Sequence, residues 1–332
     1  MRREWGESFK KRWTFEPELS SRQRQLPKIR SRKAKNAENN GTERYYVSDA
    51  SESNKFKYCL PADEQERERL DLQSEMVNLT FENKLIWAPV TLESGAIVLD
   101  SGTGSGHWLL SLAKEVPSTV VLRGIDISPR MFPSPTTIPD NMSLMSHSIT
   151  SLPEDWTNTV TLIHQRLLVA AFQADQWKTA VSEMYRVLAP GGWVQLFEPR
   201  EQLLSPLEAI TNHKTLRILE RLMADTRHIV NDVVDHLQHW LEEAGFVNLT
   251  IQKRGMPIGS WAGERGVLSM EATLGAFEAM KPLVIKEGGL GIVSSEEEFD
   301  AALADLRQLC DDTPDTYFQY WLFTAQKPLP KV

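Results

Sequence analysis

The chain has 332 residues, 41% of them hydrophobic, which is enough for one large α/β domain with insertions or for two modest domains, and its formal net charge is −8. Its two cysteines, Cys59 and Cys310, stand far apart with no Cys or His partner at metal-ligand spacing, so they read as ordinary thiols rather than as a disulfide framework or a metal site. No apolar run approaches the roughly 20 residues of a bilayer span, and the charged N-terminus is unlike a signal peptide, so a soluble, intracellular protein without a membrane partner is expected.

The charge is unevenly spread. Residues 1–35 carry twelve Lys and Arg against four acids, which leaves the remainder strongly acidic. An acidic body argues against a nucleic-acid partner, because phosphate affinity comes from clustered Lys and Arg. The arm itself reads as a solvated tail, with a nuclear address around Lys28–Lys35 as the alternative. Residues 1–54 are polar and lack periodicity, so they are expected to form a disordered leader. From Asp63 to Ile86, Leu70, Val77, Leu79 and Leu85 recur among charges at helical intervals, which predicts a helical cap over 55–86 with start signals at Pro61 and Asp63.

The main domain is expected over 87–330. Strands are predicted at Ala96–Asp100, Val120–Ile125, Ser143–His147, Thr159–Ile163 and Trp193–Phe197, alternating with helices such as Gln173–Leu188. That alternation implies a doubly wound, mostly parallel α/β sheet. Residues 201 to about 245 read as helical, closing at Gly245 before a strand Val247–Gln252. Further helical material through Lys286 and over Ser295–Leu309 precedes a last strand, Tyr317–Ala325, so helical lid insertions are expected near 200–240 and 256–310. Met256, Trp261 and Met270 fall there, where they would either line a substrate pocket or simply pack.

The strongest chemical signal is Asp100-Ser101-Gly102-Thr103-Gly104-Ser105-Gly106, directly after a buried strand and before a helix. Glycines let the backbone turn tightly and approach a ligand, and a carboxylate at the strand end suits a cationic amino group. Asp126 follows about 20 residues later at the end of the second strand, where Rossmann-type sites place an acid on ribose hydroxyls. His107 stands where a dinucleotide fingerprint wants glycine, and Asp100 would repel a diphosphate; both favour a sulfonium cofactor over a nicotinamide one.

Together with Gly124-Ile-Asp-Ile-Ser-Pro129, Ile163-His-Gln-Arg166, Tyr185–Glu198, Tyr58-Cys-Leu-Pro61 and the Glu66-x-x-Arg69-Leu-x-x-Gln73 helix, this run resembles the LaeA-like group of fungal class I methyltransferases over roughly residues 45–330. The resemblance implies a Rossmann-like, seven-stranded, mostly parallel sheet with the last strand antiparallel, helices on both faces and a helical cap. It also implies S-adenosylmethionine as cofactor. Asp100, Ser101, Gly102, Thr103 and Gly104 would then hold the methionine end, Asp126 the ribose, Ile127 the adenine face, and Ser148 and Ile149 the adenine pocket. His164 and Gln165 would face the sulfonium, and Tyr58 would close the pocket from the cap. The chain departs from the family at Ser148, where an acid is usual, at Thr161, and at Ser74, where a His is usual.

Methyl transfer from a sulfonium needs the nucleophile held in line with the leaving sulfur, so no metal is expected and a base is optional. An aliphatic alcohol acceptor would use His164 as catalytic base; an amine or thiol would not. His164 reads equally as a satisfied core histidine, Arg166 as an ion-pair partner of a helix carboxylate, and His213, His228, His236 and His239 as residues of solvent-facing helix surfaces. The expected function is methylation of a small molecule, a fungal secondary metabolite, at O, N or S in the cytoplasm. The alternative is a nuclear regulator of the same fold acting through a protein partner.

Overall fold

The computed structural model describes residues 46–48, 57–61, 63–226, 228–230 and 232–330. The basic arm and most of the expected leader therefore lie outside the described residues. Within that leader Tyr46–Ser48 (β1) pairs antiparallel with Lys57–Pro61 (β2), so the chain enters the cap through a paired strand rather than a helix. One helix follows, Glu64–Thr80 (α1), with Asp63 as its N-cap accepting the Glu66 amide at 2.9 Å. Inside it Arg69 grips Glu66 through two hydrogen bonds of 2.7 and 2.9 Å and reaches Gln73 at 3.1 Å. Both charges are almost fully buried, and the bidentate geometry compensates their desolvation.

The sheet begins with Ile97–Ser101 (β3), Val121–Asp126 (β4), Met142–Ser146 (β5) and Val160–Arg166 (β6), with His107–Leu112 (α2) after β3 and Ala174–Val187 (α3) after β6. The central strands β3 and β6 are buried on both sides because helices cover both faces. Val98 and Leu162 pack with Trp108, Leu109 and Leu112. Their neighbours Leu99 and Ile163 point the other way, onto Trp177, Val181 and Met184 of α3. Leu188–Leu204 (β7), Val247–Pro257 (β8) and Tyr317–Gln326 (β9) complete seven strands in the order β5-β4-β3-β6-β7-β9-β8. β9 runs antiparallel to both its neighbours, and all the other pairings are parallel. The expected mostly parallel, seven-stranded sheet is the observed one.

Two local differences have physical causes. The Gly191-Gly192 pair, between the predicted helix Gln173–Leu188 and strand Trp193–Phe197, lies within β7, where the register with β6 slips between the pairs Val160↔Leu188 and Leu162↔Trp193. A Cβ on Gly192 would stand 2.9 Å from the Ala189 carbonyl and 3.0 Å from that of Val160, so only glycine fits this irregularity. The helix expected from residue 201 starts later, because β7 continues to Leu204, pairing Leu203 with Phe318 and Leu204 with Tyr317 of β9. Short helices follow at Glu208–Thr211 (α4) and Lys214–Glu220 (α5), then a π-helical turn over 221–226 and Val234–Glu243 (α6). Gly245, at φ +95°, closes α6 as expected.

Gly263–Lys286 (α7) and Glu296–Asp312 (α8) pack with α1 and α5 into a second apolar core that contains Met76, Leu222, Met270, Phe277 and Phe299. Met256 and Met270 are core residues, and the Trp261 indole donates to the Ile258 carbonyl at 2.9 Å. His213 is no surface residue: it caps α5 by accepting the Thr215 amide and meets Asp305 at 3.1 Å. Cys310 is a buried free thiol, pushed up to about 12 by burial, while the side chain of Cys59 lies outside the described residues. Among the described residues no helix is long and apolar enough to cross a membrane.

Candidate active site

After β3 the chain runs outward through β4 to β5, then returns to lay β6 on the other side of β3. Strand order reverses there, and the crevice beyond the carboxyl ends of β3 and β6 is where open α/β sheets bind ligands. A cavity lies at that place. One wall is the loop Ser101–Ser105. Gly102 and Gly104 have φ of +65° and +53°, a backbone that side chains resist, and this turns the Thr103 amide back onto the Ile125 carbonyl at 2.9 Å. Asp126, at the end of β4, locks the loop: one carboxylate oxygen accepts the Gly104 amide at 3.0 Å and the other the Ser128 amide at 3.0 Å. Burial raises the Asp126 pKa, and the amide hydrogen bonds oppose that rise.

Of the residues singled out from sequence, Ser101, Gly102, Thr103, Gly104, Asp126, Ile127, Ser148 and Ile149 all line this cavity. Ile127 is 47% exposed, a large apolar side chain held against open space. The Ser148 hydroxyl is already engaged, 2.7 Å from that of Thr150 and accepting the Thr150 amide at 3.2 Å. Three others sit below the cavity rather than in its wall. Asp100 is 3% exposed and accepts the Thr103 hydroxyl at 2.6 Å. Gln165 accepts the Ser101 hydroxyl at 3.0 Å and leaves its buried amide nitrogen without a partner. His164, expected to face the sulfonium, is instead 1% exposed and wedged between Trp108, whose ring centre is 3.8 Å away, and Phe197 at 5.2 Å. Burial holds its pKa well below the usual histidine range, so it is a neutral core ring, 3.9 Å from Asp100. Tyr58 falls on β2, and its side chain lies outside the described residues.

Several cavity residues had no site role assigned from sequence, although Glu66, Leu70 and Ser74 belong to the expected helical cap. Leu167, Leu168, Ala171 and Phe172 come from the loop after β6; Glu66, Leu70 and Ser74 come from one stripe of α1. His147 adjoins the pair chosen from sequence. Arg166, assigned from sequence to a carboxylate on a helix, does reach a helix, but its partners there are neutral: Asn78 Oδ1 at 3.1 Å and the hydroxyl of Ser74. No lining residue comes from 200–310, so among the described residues the expected lid insertions contribute no wall. The one available signal was the helical spacing of 66, 70, 74 and 78.

The geometry agrees with what the chain is similar to. A family model described as "Methyltransferase domain" matches residues 98–192. N-methyltransferase tcpN of Claviceps purpurea is 30% identical over 269 residues, covering 79% of this chain and 94% of that one. N-methyltransferase sirN of Leptosphaeria maculans is 34% identical over 223 residues, 66% and 75% respectively. The chain belongs to this family of fungal S-adenosylmethionine-dependent methyltransferases. The secondary metabolism regulator laeA of Aspergillus niger is a further relative, 31% identical over 213 residues, 61% of this chain and 54% of its own.

The cofactor of this methyltransferase is S-adenosylmethionine, and its acceptor is a small molecule. The residues present fit the cofactor. The glycine loop leaves room for close approach, Asp126 offers carboxylate oxygens to a diol, and Arg166 stands in the same wall with no acid within ion-pair reach among the described residues. Burial sets the electrostatics of the methyltransferase. It pushes Asp100 up to about 7 and draws Arg166 down to about 10. It also pushes Glu198 up to about 8, against the two amides, of Leu168 and Val169, that this carboxylate accepts at 3.1 and 2.9 Å. Glu198 thereby anchors the Leu167–Phe172 wall, whose first residue sits at φ +61°.

Proposed function

We propose that the chain transfers a methyl group from S-adenosylmethionine to a nitrogen atom of a small secondary metabolite. The observation that carries this reading is that relatives named as N-methyltransferases align along most of their length, and His164, the base that an alcohol acceptor would use, is buried beneath the cavity rather than in its wall. The sulfonium supplies a carbon already bearing a good leaving group. A neutral nitrogen lone pair then needs only to be held about 3 Å from that carbon and in line with the sulfur. In our reading Ser101–Gly104 hold the methionine end and Asp126 the ribose, while Ile127, Ser148 and Ile149 line the adenine end. Leu70, Leu167, Leu168 and Phe172 exclude water from the reacting atoms. His164 orders the strand ends by packing, and the proton lost from nitrogen leaves to solvent.

The test is incubation of the purified protein with isotopically methyl-labelled cofactor and a panel of amine, hydroxyl and thiol metabolites, with products read by mass spectrometry and NMR. Label on nitrogen is expected. Label only on oxygen or sulfur would overturn the assignment of the acceptor atom. The similarity to laeA favours a second reading, a regulator working through a protein partner in the nucleus rather than an enzyme of the cytoplasm. That reading predicts nuclear retention dependent on residues 1–35 and no turnover of any small acceptor.

A further inference from the structure

Arg166 ends β6 one residue beyond the pair Ser101↔Gln165, on the same face of the sheet as His164 and, across the pairing, Asp100. Its guanidinium is held by two acceptors from α1, Asn78 Oδ1 at 3.1 Å and the Ser74 hydroxyl. Both are neutral. A cation partly withdrawn from water is costly unless a counter-charge completes its environment, yet among the described residues no carboxylate lies within 4.0 Å of the half-buried Arg166. Other charged or titratable groups act on it at longer range: Asp100 beneath the glycine loop, Tyr320 of β9, and the imidazoles of His107 and His164, whose pKa it helps to lower. The same α1 stripe continues to the glycine loop, where the Ser105 hydroxyl donates to Asp71 at 2.6 Å and Leu70 covers Gly104. Arg166 is thus fixed on one side by neutral groups and open on the other to the cavity wall formed by Ser101–Ser105.

We propose that Arg166 is the anion-binding residue of the site and receives the α-carboxylate of the cofactor's methionine moiety, with Ser74 and Asn78 as positioning residues that aim its guanidinium. The proposal deepens the cofactor reading and rests on it. A guanidinium matches a carboxylate in two parallel hydrogen bonds, and its three remaining N–H groups suffice for the helix contacts. This also gives Ser74 a purpose: a hydroxyl there can accept from the arginine without neutralising it, whereas an acid would compete with the ligand for the same charge.

The experiment compares two probes by calorimetry on the full chain: S-adenosylhomocysteine, which carries the carboxylate, and decarboxylated S-adenosylmethionine, which keeps the ammonium, ribose and adenine but lacks it. Arg166→Gln is expected to weaken S-adenosylhomocysteine by about tenfold or more and the decarboxylated probe by less than about twofold. Arg166→Lys should recover part of the loss, and Ser74→Asp should reproduce the selective defect by supplying the missing counter-charge. Parallel weakening of both probes would mean that Arg166 only holds the fold together, and unchanged affinity for both would remove it from the site; either overturns the proposal. So would normal affinity for S-adenosylhomocysteine with a raised KM for the acceptor alone. If the unaltered protein bound neither probe, the cofactor reading itself would fall, a result distinct from any of these.

Discussion

Glu198 offers the sharpest test of how burial governs this site. It is fully buried within β7, both its oxygens accept amides of the Leu167–Phe172 wall, and its pKa is raised from 4.5 to about 8. A carboxyl group whose pKa is higher in the folded than in the unfolded chain binds more protons when folded, so its contribution is fully present below pH 4.5. It is lost as pH rises through 8. With these values the loss between pH 6 and pH 9 is about 2–3 kcal/mol. Glu198→Gln has no proton to lose. It should cost about 1 kcal/mol near pH 6, where an amide nitrogen replaces one acceptor facing a backbone N–H, and become the more stable protein by pH 9. Glu198→Ala orphans two backbone amides and should cost about 2–6 kcal/mol at any pH, with weakened S-adenosylhomocysteine binding as the wall loosens. Urea unfolding of the three proteins from pH 6 to pH 9, followed by tryptophan fluorescence, measures the effect. Parallel curves for the unaltered protein and Glu198→Gln would refute the reasoning.

Three further outcomes follow from the geometry. Gly102→Ala and Gly95→Ala both force a side chain onto positive φ and should each cost about 1–2 kcal/mol. Only the first, whose Cβ would press Leu168 from 2.8 Å, should also weaken cofactor binding by calorimetry, since Leu168 has the cavity to move into. His164→Gln should keep methyl transfer within about tenfold in a steady-state assay, because a general base would be worth about 10²–10⁴ and this ring has no access to the cavity. Lys327→Met should destabilise the protein by about 1–3 kcal/mol in thermal or urea unfolding. That ammonium donates to the Tyr185 and Leu188 carbonyls at 2.7 and 2.8 Å, holding the end of α3 against the β7 irregularity.

Local pattern determined the parts of this protein whose information is local. The run from Ile97 to Leu112 is strand, glycine turn and helix because apolar period, left-handed glycines and helical spacing follow one another within sixteen positions. The same is true of Asp126 at the end of β4, the Asp63 cap and the Gly245 stop. What the sequence could not decide is whatever depends on a distant partner. Residues 201–204 read as the start of a helix, and only the pairing of Leu203 and Leu204 with β9 makes them strand. His164 and Arg166 are two positions apart on one strand and share its face, yet one is sealed under Trp108 and the other reaches α1 and the cavity. No periodicity distinguishes them; the packing of α1 and α2 over the strand ends does. The same packing turned Asp100 into a buried brace for Thr103 and brought Glu66, Leu70 and Ser74 into the wall, because burial belongs to the assembled layers and a residue's chemistry follows its burial.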